Sequence, residues 1–159
     1  MDAPEQTQPQ TQPQAQQLAE ACAAKMWAED ATSQAMGMQI EHIGPGRATL
    51  SMRVREDMLN GQGHCHGGMM FTLADSAFAF ACNAYNQFTV AQHCSVSFIR
   101  PALPGERLIA TATECQRSGR SGIYDVMLHN QNNDLVAVFR GHSRTVKGQH
   151  LADADSPSS

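Results

Sequence analysis

Asp75 stands near the middle of a sixteen-residue stretch, residues 67–82, in which nearly every other side chain is apolar or small. An ionised carboxylate is costly to bury without partners, so an acid on the strongest core-forming segment of the chain needs a reason. The run before it, Asn60-Gly61-Gln62-Gly63-His64-Cys65-His66-Gly67-Gly68, reads as a glycine-rich entry to a helix. Helix entries present unpaired backbone N–H groups that stabilise negative charge. A carboxylate and an anion-stabilising helix start are two halves of a hydrolytic site.

On a helical repeat Gly68, Thr72, Asp75, Ser76, Ala79 and Asn83 share one stripe, whereas Met70, Phe71, Leu73, Ala74, Ala77, Phe78 and Ala81 lie opposite. One face is core; the other carries an acid, hydroxyls and small residues that leave space. The competing reading is a surface aspartate on an amphipathic helix, or half of a structural ion pair. Gly67 and Asp75 are eight residues apart, which is roughly 12 Å along one helix. A carbonyl held at the helix start is therefore out of reach of the same chain's Asp75, because attack needs contact near ~3–3.5 Å. Two antiparallel helices packed across a two-fold axis would bring Gly67 of one chain to Asp75 of the other. The spacing thus predicts a homodimer with two shared sites.

Asn60 can donate and accept hydrogen bonds, and so orient a water or the attacking carboxylate; as an asparagine before Gly61 it also suits a turn. His66 is either a general base or a residue that holds the loop by hydrogen bonding, and positioning is the favoured role. His64-Cys65-His66 lacks the spacing of a zinc site, since adjacent side chains diverge. Cys65 has no recognisable base beside it in sequence, and Gly61 and Gly63 do not follow a strand as a dinucleotide fingerprint requires. The reading calls for no metal and no cofactor.

The elements that must position these residues are legible from periodicity. An alanine-rich helix over residues 18–36 stops at Gly37, and two strands, 38–43 and 48–54, flank a Gly-Pro-Gly turn. The helix 67–82 follows, then strands at 88–99, 107–116, 122–130 and 135–145, separated by turn-forming clusters. The plan is α+β, a meandering antiparallel sheet wrapped around a central helix. Residues 1–17, rich in Gln and Pro, and residues 149–159 read as flexible tails around one domain, 18–148.

Composition narrows the function further. A net charge of −4 without a basic run argues against a nucleic-acid partner. No eighteen-residue apolar run exists, which predicts no membrane span. The start lacks the basic and apolar regions of a secretory signal, and the five cysteines are odd in number and scattered. Both point to a soluble, reduced, cytoplasmic protein.

Asn60-Gly61 followed by Cys65-His66-Gly67-Gly68, then Thr72-Leu73-Ala74-Asp75-Ser76-Ala77-Phe78-Ala79, resembles hotdog-fold acyl-CoA thioesterases of the phenylacetate-degradation (PaaI) type. The likeness continues through Ser97-Phe98-Ile99-Arg100-Pro101 and Gly122-Ile123-Tyr124-Asp125 to Phe139-Arg140-Gly141, over residues 36–147. It implies a hotdog fold, dimers paired into homotetramers, and hydrolysis of phenylacetyl-CoA or hydroxyphenylacetyl-CoA. Carried over by position, Asp75 is the nucleophile or general base. The Gly67 N–H polarises the thioester carbonyl with help from Gly68, Asn60 and His66 belong to the same loop, and Ser76 occupies a hydroxyl-bearing position beside the acid. Thr72, on the same stripe, is a candidate substrate contact. Coenzyme A is anionic, so Arg100 and Arg120 are its candidate rim contacts, with Arg140, Arg144 and Lys147 behind them. The readings set against this one are a thioesterase for other aryl or medium-chain acyl-CoAs, a non-catalytic acyl-CoA-binding regulator, a hotdog hydratase and a purely structural domain.

Overall fold

The computed structural model describes residues 9–152. Helix α1 (Gln12–Glu29) is followed by a one-turn helix α2 (Ala31–Ala35), strands β1 (Gln39–Gly44) and β2 (Arg47–Arg53), and a 3-10 turn at Glu56–Met58. Helix α3 (Gly67–Cys82) comes next, then β3 (Thr89–Phe98), β4 (Arg107–Ser118), β5 (Ser121–His129) and β6 (Leu135–Thr145). The six strands form one sheet in the order β1-β2-β4-β5-β6-β3, with every pairing antiparallel. The sheet curls over α3, which is the hotdog arrangement.

The α3 boundaries coincide with the apolar run because both ends are capped. His66 Nδ1 accepts from Gly68 N at the start, and at the other end Asn83 continues the ladder, its N–H donating to Ala79 O. Leu73, Ala74, Ala77, Phe78, Phe80 and Ala81 are buried along it. Phe78 packs against Tyr124 and Phe139 with ring centroids 5.5 and 5.9 Å away. Such burial contributes about 1.5–3 kcal/mol for each large side chain. The sheet makes room for the Phe78 ring with a glycine on β6. A Cβ on Gly141 would lie only 2.8 Å from the Phe78 ring, so β6 can pass over the helix only as glycine there.

Three features depart from the sequence expectations. The first helix begins at Gln12 rather than Leu18, because Thr11 and Gln14 form a capping box beside Pro13 and Gln16 Nε2 reaches Ile43 O at 2.7 Å. The same helix is broken at Asp30, whose carboxylate caps Ser33 and starts α2. The strands do not all meander, since β3 leaves α3 for the far edge and pairs with β6. The end of the chain is also engaged before it leaves the described residues. Asn86 Oδ1 accepts from the N–H groups of His150 and Leu151, and the remainder of the expected C-terminal tail, like residues 1–8, lies outside them. No helix among the described residues is long and apolar enough to cross a membrane.

Candidate active site

The loop before α3 is held by its own backbone and by Asn60. Asn60 N donates to His64 O at 2.7 Å, while Asn60 Oδ1 accepts from the N–H groups of Gln62 at 2.9 Å and His64 at 3.2 Å. Gly63 sits at φ +77°, a conformation glycine adopts without penalty. The base of the loop is pinned where Cys65 N donates to Ala102 O and His66 N to Met58 O. Asn60 is half-buried, and its Nδ2 donates to nothing among the described residues.

Capping of α3 is selective. Gly68 N donates to His66 Nδ1 at 2.9 Å, and Met69 N and Met70 N both turn back to His66 O. Gly67 N alone in this first turn has no acceptor among the described residues. His66 is therefore the N-cap, with its Nδ1 lone pair occupied by the loop it holds. A Cβ on Gly67 would meet the Phe98 ring at 3.0 Å, so β3 brings an aromatic wall close against Gly67. An open cavity of about 320 Å³ lies here, lined by Asn60, His64, Gly67, Met70, Phe98 and Arg100 among others.

Asp75 does not line that cavity. It is half-buried two turns further along α3, and burial pushes its carboxyl above the ordinary aspartate range. Burial pushes up the thiols of Cys82 at the end of α3 and Cys94 in β3, and the negative charge of Asp75 adds to the push on both. The other described aspartates all have partners: Asp30 caps Ser33, Asp57 binds Arg55, Asp125 binds Arg140 and Asp134 binds Arg100. Asp75 accepts no hydrogen bond and joins no ion pair among the described residues. A desolvated acid without a structural partner has the environment of a base or nucleophile.

The remaining expected site residues divide. Gly68 spends its N–H on His66, Thr72 Oγ1 donates to Gly68 O at 2.8 Å, and Ser76 Oγ lies 2.9 Å from Ser33 Oγ. Each is on the expected helix, with its hydrogen-bonding hydrogen committed within the chain or shared with a buried neighbour. Arg100 lines the cavity while bridging Asp134 at 2.7 Å. Arg120 donates to Thr145 O in the β4–β5 turn, beside the start of β3, because Thr89 pairs with Thr145. The cavity lies at the opposite end of that ten-residue strand, roughly 30 Å away. Arg140 is held bidentately by Asp125 at 2.6 and 2.8 Å. Burial drives the Cys65 thiol up to about 11, which leaves it protonated and a poor nucleophile at neutral pH. Among the described residues no group of His, Cys, Asp or Glu is placed to hold a metal. Phe98 and Ser33 were not legible as site neighbours in the sequence, since nothing in the local pattern around either ties it to α3.

Residues 62–137 match the model of the thioesterase superfamily. Acyl-coenzyme A thioesterase PaaI of Escherichia coli is 40% identical over 132 residues, covering 83% of this chain and 94% of that protein. The chain belongs to the PaaI-type acyl-CoA thioesterases. Its solved relative, the E. coli PaaI protein from the phenylacetic acid degradation operon, superimposes with a TM-score of 0.84 over 85% of this chain and 98% of that one, at 39% identity. The phenylacetic acid degradation protein PaaI of Thermus thermophilus matches with a TM-score of 0.69 at 37% identity, covering 72% of this chain and 97% of that one. In this PaaI-type enzyme the free Gly67 amide and the unpaired Asp75 therefore belong to a thioester hydrolase.

Proposed function

We propose that the enzyme hydrolyses phenylacetyl-CoA or hydroxyphenylacetyl-CoA to the free acid and coenzyme A, as a cytoplasmic homodimer with two shared sites that pairs into a homotetramer. The observation that carries the shared site is the separation on α3 of an unfilled N–H at Gly67 from a partnerless carboxylate at Asp75. One chain cannot bring both to one carbonyl. A two-fold axis passing beside Phe71, midway between them, would set Gly67 against Asp75 of the partner subunit and repeat the site on the other side.

The edge position of β3 supports this assembly. Val90 and Phe98 are each 49% exposed and Ile99 56% exposed on or beside an unpaired edge. Such an edge is normally blunted or covered. Antiparallel pairing of two β3 strands would cover it and would bring one chain's strand start towards the other chain's cavity. Arg120, Arg144 and Lys147, which lie together near that start, would then face the phosphates of coenzyme A bound at the partner's Gly67. Arg144 and Lys147 join no ion pair among the described residues, which leaves them available for an anion.

In the reaction the thioester carbonyl accepts a hydrogen bond from Gly67 N–H, and Asn60 Nδ2 supplies a second donor at the cavity wall. Charge develops on that oxygen as attack proceeds, so both donors bind the transition state more strongly than the substrate. Asp75 of the partner subunit either attacks the carbonyl carbon, expelling coenzyme A thiolate and leaving a mixed anhydride for water to open, or removes a proton from an attacking water. Phe98, Met70 and Ile99 give the cavity an apolar wall suited to an aryl group. The names of the E. coli and T. thermophilus relatives, which place them in phenylacetic acid degradation, support the aryl assignment.

The test incubates the enzyme with phenylacetyl-, hydroxyphenylacetyl-, benzoyl- and straight-chain acyl-CoAs while free thiol is followed. The aryl-acetyl substrates should have the highest kcat/KM; a hexanoyl-CoA preference would replace them. Hybrid dimers combining an Asp75→Ala chain with a Gly67→Pro chain should regain one working site. Hybrids as inactive as both parents would overturn the shared site.

A further inference from the structure

Ser33 is fully buried in α2, and its hydroxyl lies 2.6 Å from Asp30 Oδ2 and 2.9 Å from Ser76 Oγ. A serine hydroxyl has one hydrogen to give, and a carboxylate oxygen only accepts. Ser33 therefore donates to Asp30, and Ser76 donates to Ser33. Asp30 Oδ1 accepts from Ser33 N at 2.9 Å, so both carboxylate oxygens are directed at one residue. This oriented chain runs from the break between α1 and α2 to α3, and it ends on the residue next to Asp75.

Hydrogen bonds of His66 and Asn83 fix the two ends of α3, and between them it is held by apolar contacts, which resist its withdrawal from the sheet but are non-directional. The Ser33–Ser76 bond is directional, and it joins α3 to α2 about 100° round the helix from Asp75. We propose that Asp30, Ser33 and Ser76 are positioning residues that set the rotation of α3 about its axis and thereby the place of the Asp75 carboxylate. The role rests on the thioesterase mechanism given to Asp75 and deepens it. A side chain stands about 5–6 Å from its helix axis, so a rotation of about 10° moves the carboxylate by about 1 Å. Misplacement on that scale costs up to about 10²-fold in rate. The Ser76 hydrogen is already committed to Ser33, so its loss acts on kcat and leaves substrate binding alone.

The experiment measures kcat, KM and Tm for Ser33→Ala, Ser76→Ala, the double variant and Ser76→Thr, with Asp75→Asn alongside. Each alanine variant should lower kcat about five- to tenfold with KM within about twofold. The double variant should be no slower than Ser33→Ala alone, because the Ser33–Ser76 bond is lost in all three, and Ser76→Thr, which keeps the hydroxyl, should recover most of the rate. Losses that multiply in the double, a Ser76→Ala effect confined to KM, or an unchanged kcat in Ser33→Ala would overturn the proposal. If Ser33→Ala does not fold, Ser76→Ala breaks the same Ser33–Ser76 bond from the half-buried side and should give the same kcat-only loss; an unchanged kcat there also overturns it. Full activity in Asp75→Asn would sink the thioesterase mechanism itself. An inactive Asp75→Asn beside fully active serine variants would sink only the positioning role.

Discussion

Two asparagines flank α3, and they spend their hydrogen bonds differently. Asn83, just past the C-terminal end and only 4% exposed, donates from Nδ2 to Ala79 O and Thr89 O and accepts at Oδ1 from Thr89 N and His150 Nε2. Its capacity of two donors and two acceptors is full. Asn60, at the N-terminal end, uses only its oxygen among the described residues, and it lines the same cavity as Gly67, whose N–H is equally free. Saturation marks the end of the helix that holds the fold together. Open donors mark the end to which the proposed site assigns the substrate, and Asp75 between them is an open acceptor. The difference arises because an unpaired polar group costs stability unless water or substrate completes it.

The contrast can be broken most sharply at Asp75. Replacing it with alanine should reduce thiol release from the best acyl-CoA by about 10³-fold, within the range for loss of a general base, while the fold persists because no partner is orphaned. Retention of more than a tenth of the activity would remove Asp75 from the chemistry. Next is Asn60→Asp, which keeps the Oδ1 contacts of the loop and loses the free N–H. Steady-state kinetics should show kcat/KM falling about 10²-fold, as for loss of an oxyanion donor, with Tm nearly constant.

Asn83→Ala should behave in the opposite way. It strands Thr89 N, Thr89 O and His150 Nε2, while Ala79 O keeps the backbone N–H of residue 83, which costs about 2–3 kcal/mol, so calorimetry should show a clear fall in Tm with kcat per folded molecule little changed. A variant that folded as well as the parent but lost activity would reverse the assignment of the two ends. The smallest effect concerns pH. Burial raises the Asp75 carboxyl in the folded protein above its unfolded value of 3.8, so the folded state holds the proton more tightly. The raised acid therefore costs nothing below the unfolded value, costs progressively more as pH climbs from there, and costs its full amount above the folded value. Asp75→Asn should accordingly raise Tm at pH 7, with the gain fading as pH is lowered towards 3.8. A Tm gain independent of pH would mean that the acid is not desolvated.

Much of this molecule was readable along the chain because its signals are local. The span of α3 was legible from a run of apolar side chains with a glycine entry, and the later strands from alternation broken by turn residues. Asp75 and Gly67 stood out because an acid in an apolar run and glycines at a helix start are anomalies that need no knowledge of the fold. The start of α1 was missed because its cap, Thr11 with Gln14, lies in a stretch whose composition reads as unstructured. The path of β3 was missed because strand order depends on which edge is free after β2 has paired with β4.

Sequence by itself determined the central helix, its acid, its glycine entry and the family. These follow from residue types at fixed helical or strand periods, where each residue's role is set by neighbours within a few positions. Only the tertiary structure decided which polar groups are left open. Whether Gly67 N–H, Asn60 Nδ2 and the Asp75 carboxylate are free, and whether the Ser76 hydroxyl is engaged, depends on partners such as His66 Nδ1 nearby and Ser33, which is forty-three residues from Ser76. Hydrogen bonds act over about 3 Å in space and are indifferent to distance along the chain, so folding alone settles which donors and acceptors remain for a substrate.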